Sequence, residues 1–284
     1  MKDTDTIVDT ARFPRLDQFD FDSDFNAELD DFPRDAVPSF LSVLPEDQYR
    51  VALGAAWLAY NEGVMLGERD FVIPAAEMFA DNPATRDRAA QFDRVVVEEE
   101  LHILGSMRAC ESVRLQRGLQ DLRFPHWHVA DALNDVQDSA ARRGYGDLAM
   151  LAICFTFEAT ISSSFPHLSR DRVIQPSHSA WVARHAEDET EHTRLFLRTM
   201  PDFFSSLSYT DQNRFVGAIN STLVAMCVPG ASIWPTVGEY FGLRYENEVV
   251  ADLVAPVTSL ERVPVVSLNL HRALLRQPAP EPKE

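Results

Sequence analysis

Cysteine is scarce in this sequence. There are three in 284 residues, and Cys110, Cys154 and Cys227 are widely spaced. No CxxC pair or zinc-type spacing occurs, which argues against a disulfide scaffold and a thiolate metal site. The odd count fits a reducing, cytoplasmic setting with the thiols as small core residues. Basic residues are also short: 26 Lys plus Arg face 44 Asp plus Glu, a formal charge of −18. Nucleic acid and anionic membrane surfaces both require clustered bases, so neither is an expected partner. Long hydrophobic runs are missing too. The uncharged stretch of 24 residues from Phe215 to Gly238 is interrupted by Asn220, Pro229, Gly230 and Pro235. It reads as a buried helix ending near Pro229 rather than a membrane span. The acidic N-terminus is no signal peptide. Internal repeats, domain linkers and alternating strand patterns are absent.

The acidity is uneven. Residues 1–36 hold eleven carboxylates against four bases, seven of the eighteen net negative charges. With little helical pattern, this segment reads as a solvated, partly ordered arm over residues 1–40. At the other end, the Pro-rich residues 277–284 predict a disordered tail. The domain proper is expected over 41–276.

Within it, the apolar spacing predicts long helices. One runs from Glu46 to about Arg69. Asn82-Pro83 marks a break, and Thr85 is placed to cap a second helix reaching Arg117. Phe124-Pro125-His126-Trp127-His128 reads as a loop, followed by a short helix from Val129 to Arg142. Gly146–Phe165, Gln175–Met200 and Asp211–Val228 complete the series, with Pro176 suited to a first turn. The connection between the second and third long helices spans roughly thirty residues. An all-α fold with a ferritin-like four-helix bundle core and additional helices accommodates such a crossover.

Charge inside these helices carries the chemistry. Glu99-x-x-His102 and Glu189-x-x-His192 lie on different helices. Residues three apart share one helix face, so each Glu–His pair can reach one metal from a rigid element. A Glu from each of two further helices completes a di-iron carboxylate arrangement. Glu158 stands alone in the apolar run Leu148–Phe165, where an unpaired carboxylate is costly unless it faces solvent or a metal. Glu62 is chosen on the first helix because Leu58, Glu62, Met65 and Leu66 mark an inward stripe; Glu68 and Glu77 are the alternatives. His185 precedes Glu189 by four residues, on the face that also carries Trp181 and Phe196. It is either a core histidine or an extra nitrogen ligand. Carboxylate oxygens and imidazole suit two iron ions, with manganese an alternative.

Together, Glu62, Glu99-x-x-His102, Glu158 and His185-x-x-x-Glu189-x-x-His192 resemble the di-iron arylamine N-oxygenases. The third histidine is the distinguishing part. Ferritins, ribonucleotide reductase small subunits and multicomponent monooxygenases lack it at that position. The resemblance covers residues 62–192 and implies these seven residues as ligands of two iron ions that activate O2. It further implies oxidation of an amine to hydroxylamine, nitroso or nitro products. No flavin or NAD motif is present, so an external reductase or electron carrier is expected. A homodimer is expected from the resemblance and from the apolar segment Phe215–Val228.

Phe155, Thr156, Trp181 and Phe196 are the candidates for lining a substrate pocket, alongside Phe157 and Ser162. Arg69, Arg108, Arg184 and Arg194 are the candidates for pairing with an aryl carboxylate. The same ligands also suit a C–H hydroxylase or desaturase. A ferritin-like iron-storage protein is the alternative of another class.

Overall fold

A computed structural model of the chain describes residues 16, 19–124, 128–161, 173–226, 233–243 and 263–275. Cys227, Pro229, Ser162, Pro125 and the segment 277–284 lie outside these residues. The fold is all-α and ferritin-like. Among the described residues the sole strand-like feature is an isolated bridge between Asp30 and Ile174.

The helices are α1 (Glu46–Gly67), α2 (Ile73–Asp81), α3 (Ala89–Gln116), α4 (His128–Ala141) and α5 (Gly146–Ile161). Then follow α6 (Pro176–Ser206), α7 (Tyr209–Met226), α8 (Ile233–Tyr240) and α9 (Val263–Leu274). A π-turn at Glu68–Val72 joins α1 to α2 without a break in the helical path. Its widened register is closed by a bond from the Ile73 amide to the Glu68 carbonyl. Pro74 follows directly; it has no amide for the ladder, and its ring crowds the preceding turn.

Four helical columns form the bundle: α1–α2, α3, α5 and α6. The α1–α2 column packs on α3, α3 on α6, α6 on α5, and α5 back on α2. α4 lies within the long connection between α3 and α5 and packs on α5 and α7. Two apolar clusters fill the interior. One gathers Phe71, Phe79, Phe92, Phe155, Phe196, Phe203 and Phe215. The other gathers Leu53, Trp57, Leu58, Val113, Trp181 and Trp234. The apolar side of α7 (Phe215, Ala218, Ile219, Leu223) is buried within the chain, while Val224 on the same helix is exposed.

Several local expectations are corrected. Thr85 does not cap a helix; its hydroxyl donates to the Phe79 carbonyl, and a 3-10 turn at Arg86–Arg88 precedes α3. α6 runs past Met200 and through Pro201 to Ser206. α3 stops where Gly118 takes φ +70°, and the Leu119 amide closes the turn on the Arg114 carbonyl at 2.8 Å. That left-handed conformation favours glycine.

The acidic arm is not simply solvated. Phe21, Asp30, Asp31 and Val37 are buried. Asp31 accepts a 2.7 Å bond from Arg117 Nε, while the other Arg117 nitrogens donate to the Ala27 and Leu29 carbonyls. The Asp30 amide donates to the Val173 carbonyl, and the Gln175 amide to the Asp30 carbonyl. These bonds satisfy backbone groups that burial would otherwise strand.

Candidate metal centre

The bundle interior holds four carboxylates and three imidazoles, all buried: Glu68, Glu99, Glu158, Glu189, His102, His185 and His192. Their donor atoms form two overlapping groups, each within 4.8 Å. One group is Glu68, Glu99, His102, His185 and Glu189; the other is Glu99, Glu158, Glu189 and His192.

Glu99 and Glu189 belong to both lobes. Glu99 Oε2 lies 3.1 Å from His102 Nδ1, and its Oε1 lies 2.9 Å from His192 Nδ1. Glu189 Oε1 lies 3.0 Å from His185 Nε2, and its Oε2 lies 3.8 Å from His192 Nδ1. Each carboxylate therefore offers one oxygen to each lobe, the disposition of a bridging ligand. The lobes differ: one carries His102 and His185, the other His192 alone.

Of the residues singled out from the sequence, Glu99, His102, Glu158, His185, Glu189 and His192 meet at this point. Glu62 does not. It pairs with Arg114, both groups being about one-fifth exposed, with side-chain values of 23% and 19%. Glu68 stands in its place, with Oε1 3.0 Å from His185 Nε2. Six helical steps take Glu62 to Glu68, about 240° of rotation, so one helix cannot turn both inward. The inward stripe is Trp57, Asn61, Val64, Glu68 and Phe71, all buried and three or four apart. That spacing was the signal for Glu68; the pair Leu58 and Met65 pointed to a neighbouring face.

The aromatic candidates separate as well. Phe155 is buried against Phe215, with centroids 6.3 Å apart. Phe196 packs edge-on against Phe79 and Phe92. Thr156 donates its hydroxyl to the Ala152 carbonyl at 2.7 Å. These three occupy core positions, whereas Trp181 stands beside the cluster, 6.3 Å from His102 and 6.1 Å from His185 between centroids. Phe157 fills the space that a Cβ on Gly67 would take, at 2.8 Å. The arginine candidates are engaged: Arg69 with Asp70, Arg108 with the Leu16 carbonyl, Arg184 with Asp188 and Glu187, and Arg194 with Glu191.

Two carboxylates outside the lobes orient the imidazoles. His102 Nε2 lies 3.3 Å from Asp188 Oδ2, and His192 Nε2 lies 3.0 Å from Glu98 Oε2. Arg184 binds Asp188 in turn, and Arg94 binds Glu98 at 2.7 Å. A carboxylate on the far nitrogen fixes ring plane and tautomer, and leaves Nδ1 free to face a metal. Both orienting residues directly precede a ligand-type Glu, so the full motif is acid-Glu-x-x-His on each helix.

Electrostatics fit a pair of divalent cations. Glu68 Oε2, Glu158 Oε2 and Glu189 Oε2 are buried with no hydrogen-bond partner, and Glu99 Oε1 and His192 Nδ1, 2.9 Å apart, are buried without an aligned hydrogen bond between them. Without a cation, burial pushes the Glu68 carboxyl up to about 7, and burial plus Glu189 and Glu99 push Glu158 well above the carboxylate range. At His102, burial opposes a charged ring, yet bonds to Asp188 and Glu99 raise its pKa to about 10. The crowded, dry site thus draws protons onto Glu68, Glu158 and His102, while the imidazoles beside Glu99 and Glu189 hold those two carboxyls below the usual range. Two divalent ions would balance the four charges and satisfy the stranded atoms. Oxygen and imidazole donors in this number suit iron or manganese better than tetrahedral zinc. Tyr60, eight residues before Glu68, is held as a neutral phenol by burial and by the nearby Glu68 and Glu189 charges.

No family model matches the chain. It is 25% identical over 253 residues to 4-aminobenzoate N-oxygenase of Streptomyces thioluteus, a match covering 84% of this chain and 74% of that protein. That identity supports a distant relationship, and an oxidoreductase with a metal cofactor is consistent with both the relative and the buried cluster.

Proposed function

We propose that the protein is a non-haem di-iron N-oxygenase that uses O2 to oxidise an amine to a hydroxylamine, nitroso or nitro product. The observation that carries this reading is the two-lobed cluster in which Glu99 and Glu189 are shared and one lobe holds a second imidazole. The distant N-oxygenase relative supports it. Glu68, Glu99, His102, His185 and Glu189 would hold one ion, and Glu99, Glu158, Glu189 and His192 the other. When bound, a ferrous pair supplies the electrons that activate O2.

The chain's own residues have definable tasks. Asp188 and Glu98 hold His102 and His192 in the ligating orientation. Trp181 and the surrounding apolar core keep water from the imidazoles, which strengthens every charge interaction inside. Tyr60 keeps its phenolic proton, held by burial and by the Glu68 and Glu189 charges. The reading includes an external electron donor.

The test is anaerobic loading with Fe(II), metal quantification, then exposure to O2, a reductant and a panel of aryl and alkyl amines. The expected result is two iron per chain and products that gain two oxygens and lose two hydrogens, or the hydroxylamine before them. Hydroxylation at carbon with the nitrogen untouched would replace this reading with C–H oxidation. Iron mineralised in a large shell without turnover would replace it with storage.

A further inference from the structure

The acidic arm reaches the candidate metal centre through one aromatic contact. The Phe19 ring meets Trp181 edge-to-face, with centroids 5.3 Å apart and planes at 84°. Trp181 is itself buried and lies against both His102 and His185. Its indole fills space that α3 leaves open at Gly105, where a Cβ would meet Trp181 Cη2 at 2.1 Å. The arm is fastened to the same helix. Ser112 Oγ donates to the Phe21 carbonyl at 3.0 Å, and Arg108 Nη1 donates to the Leu16 carbonyl at 3.4 Å. Phe21 is buried and stacks near Phe19 at 6.2 Å. Further along, buried Asp31 is clamped by Arg117. The chain thus runs as a strap from Asp31 back across α3 to Trp181.

We propose that Phe19 is a positioning residue for the centre: the strap holds Trp181 as the dry wall beside His102 and His185. An edge-to-face contact has a preferred geometry, so it fixes the indole plane as well as covering it. A wall that excludes water also retains metal, because a competing chelator or proton must first open it. The metal part of this inference rests on the di-iron reading; the contact part does not.

The test uses the full chain with Phe19→Ala, Phe19→Leu, which keeps apolar bulk but not the ring, and Ser112→Ala, which loosens the strap without touching the ring. The four tryptophans are replaced by 5-fluorotryptophan, and the Trp181 resonance is assigned with Trp181→Phe. In metal-free protein, Phe19→Ala should shift that resonance and raise its solvent isotope effect most, with Phe19→Leu and Ser112→Ala between it and the parent. In protein loaded with Fe(II), Phe19→Ala should release iron to a chelator severalfold faster, with unchanged helicity and unchanged iron content at the start. An unchanged Trp181 resonance overturns the strap, and an unchanged release rate overturns its role as wall. If the parent chain takes up no iron, the di-iron reading fails, and the fluorine resonance in the metal-free protein decides the strap by itself.

Discussion

Glu68 Oε1 and His185 Nε2 approach to 3.0 Å across the bundle, although one sits on a π-turn and the other in mid-helix on α6. This contact places Glu68, and not Glu62, in the lobe with two imidazoles. Replacing Glu68 by Gln should therefore weaken metal binding by on the order of 100-fold or more, beyond the range typical of outer-shell changes. Glu62→Gln should leave metal content intact and cost about 1 kcal/mol, the upper scale of an ion pair near the surface. Metal analysis after dialysis, together with thermal denaturation, separates the two. Equal metal loss in both variants would contradict the assignment.

The outer carboxylates should act on one lobe each. Asp188→Asn removes the anchor of His102, and Glu98→Gln that of His192. Each change is expected to lower affinity at its own lobe by about 10–100-fold. Cobalt(II) titration followed by visible absorption should then show one site weakened and the other preserved. A uniform loss at both sites would argue for general unfolding instead.

Metal binding should be coupled to proton release. Without a cation, burial pushes the Glu68 carboxyl up to about 7, and the carboxylate bonds of His102 push that imidazole up to about 10. Both groups must lose a proton to serve as ligands, and Glu158 is displaced in the same direction as Glu68. The sign follows: affinity is weak below these values and rises as pH climbs through 7. Manganese(II) titrations across about pH 6 to 8, with calorimetry in buffers of different ionisation enthalpy, measure the slope and the protons released. A flat profile would contradict the arrangement.

Gly105 should tolerate no larger residue. A methyl group there would collide with the Trp181 ring at 2.1 Å, on fixed helix backbone. Gly105→Ala is expected to destabilise the fold by about 1–3 kcal/mol, despite alanine's better helix propensity. Thermal melting reads the loss. A melting temperature equal to or above the parent's would show that Trp181 can move aside freely.

Much of the fold was legible because helical periodicity is a local property. The positions of α3, α5 and α7 follow from apolar residues three and four apart, and the long crossover follows from counting residues between them. The π-turn was not legible, since it arises from Pro74 within a helix whose neighbours hold it continuous. The burial of part of the arm was not legible for a related reason. Asp30 and Asp31 carry charge, and charge signals exposure unless a partner waits elsewhere in the chain. Arg117, 86 residues on, is that partner for Asp31.

The candidate site divides along the same line. The sequence alone determined the two Glu-x-x-His pairs, His185 and the lone Glu158, because a helix sets which neighbours share a face and an apolar helix makes a carboxylate conspicuous. It also held the stripe that leads to Glu68, but two stripes on α1 competed, and six residues of helix turn Glu62 and Glu68 to different sides. Only the packing of the α1–α2 column against α3 and α5, which brings Glu68 to His185 of α6, decided between them. The same packing decided that Phe155, Thr156 and Phe196 serve the core, that Trp181 walls the imidazoles, and that Glu98 and Asp188 stand behind them. These are contacts between segments far apart in the chain, and their energies depend on burial and on partners that no local pattern encodes.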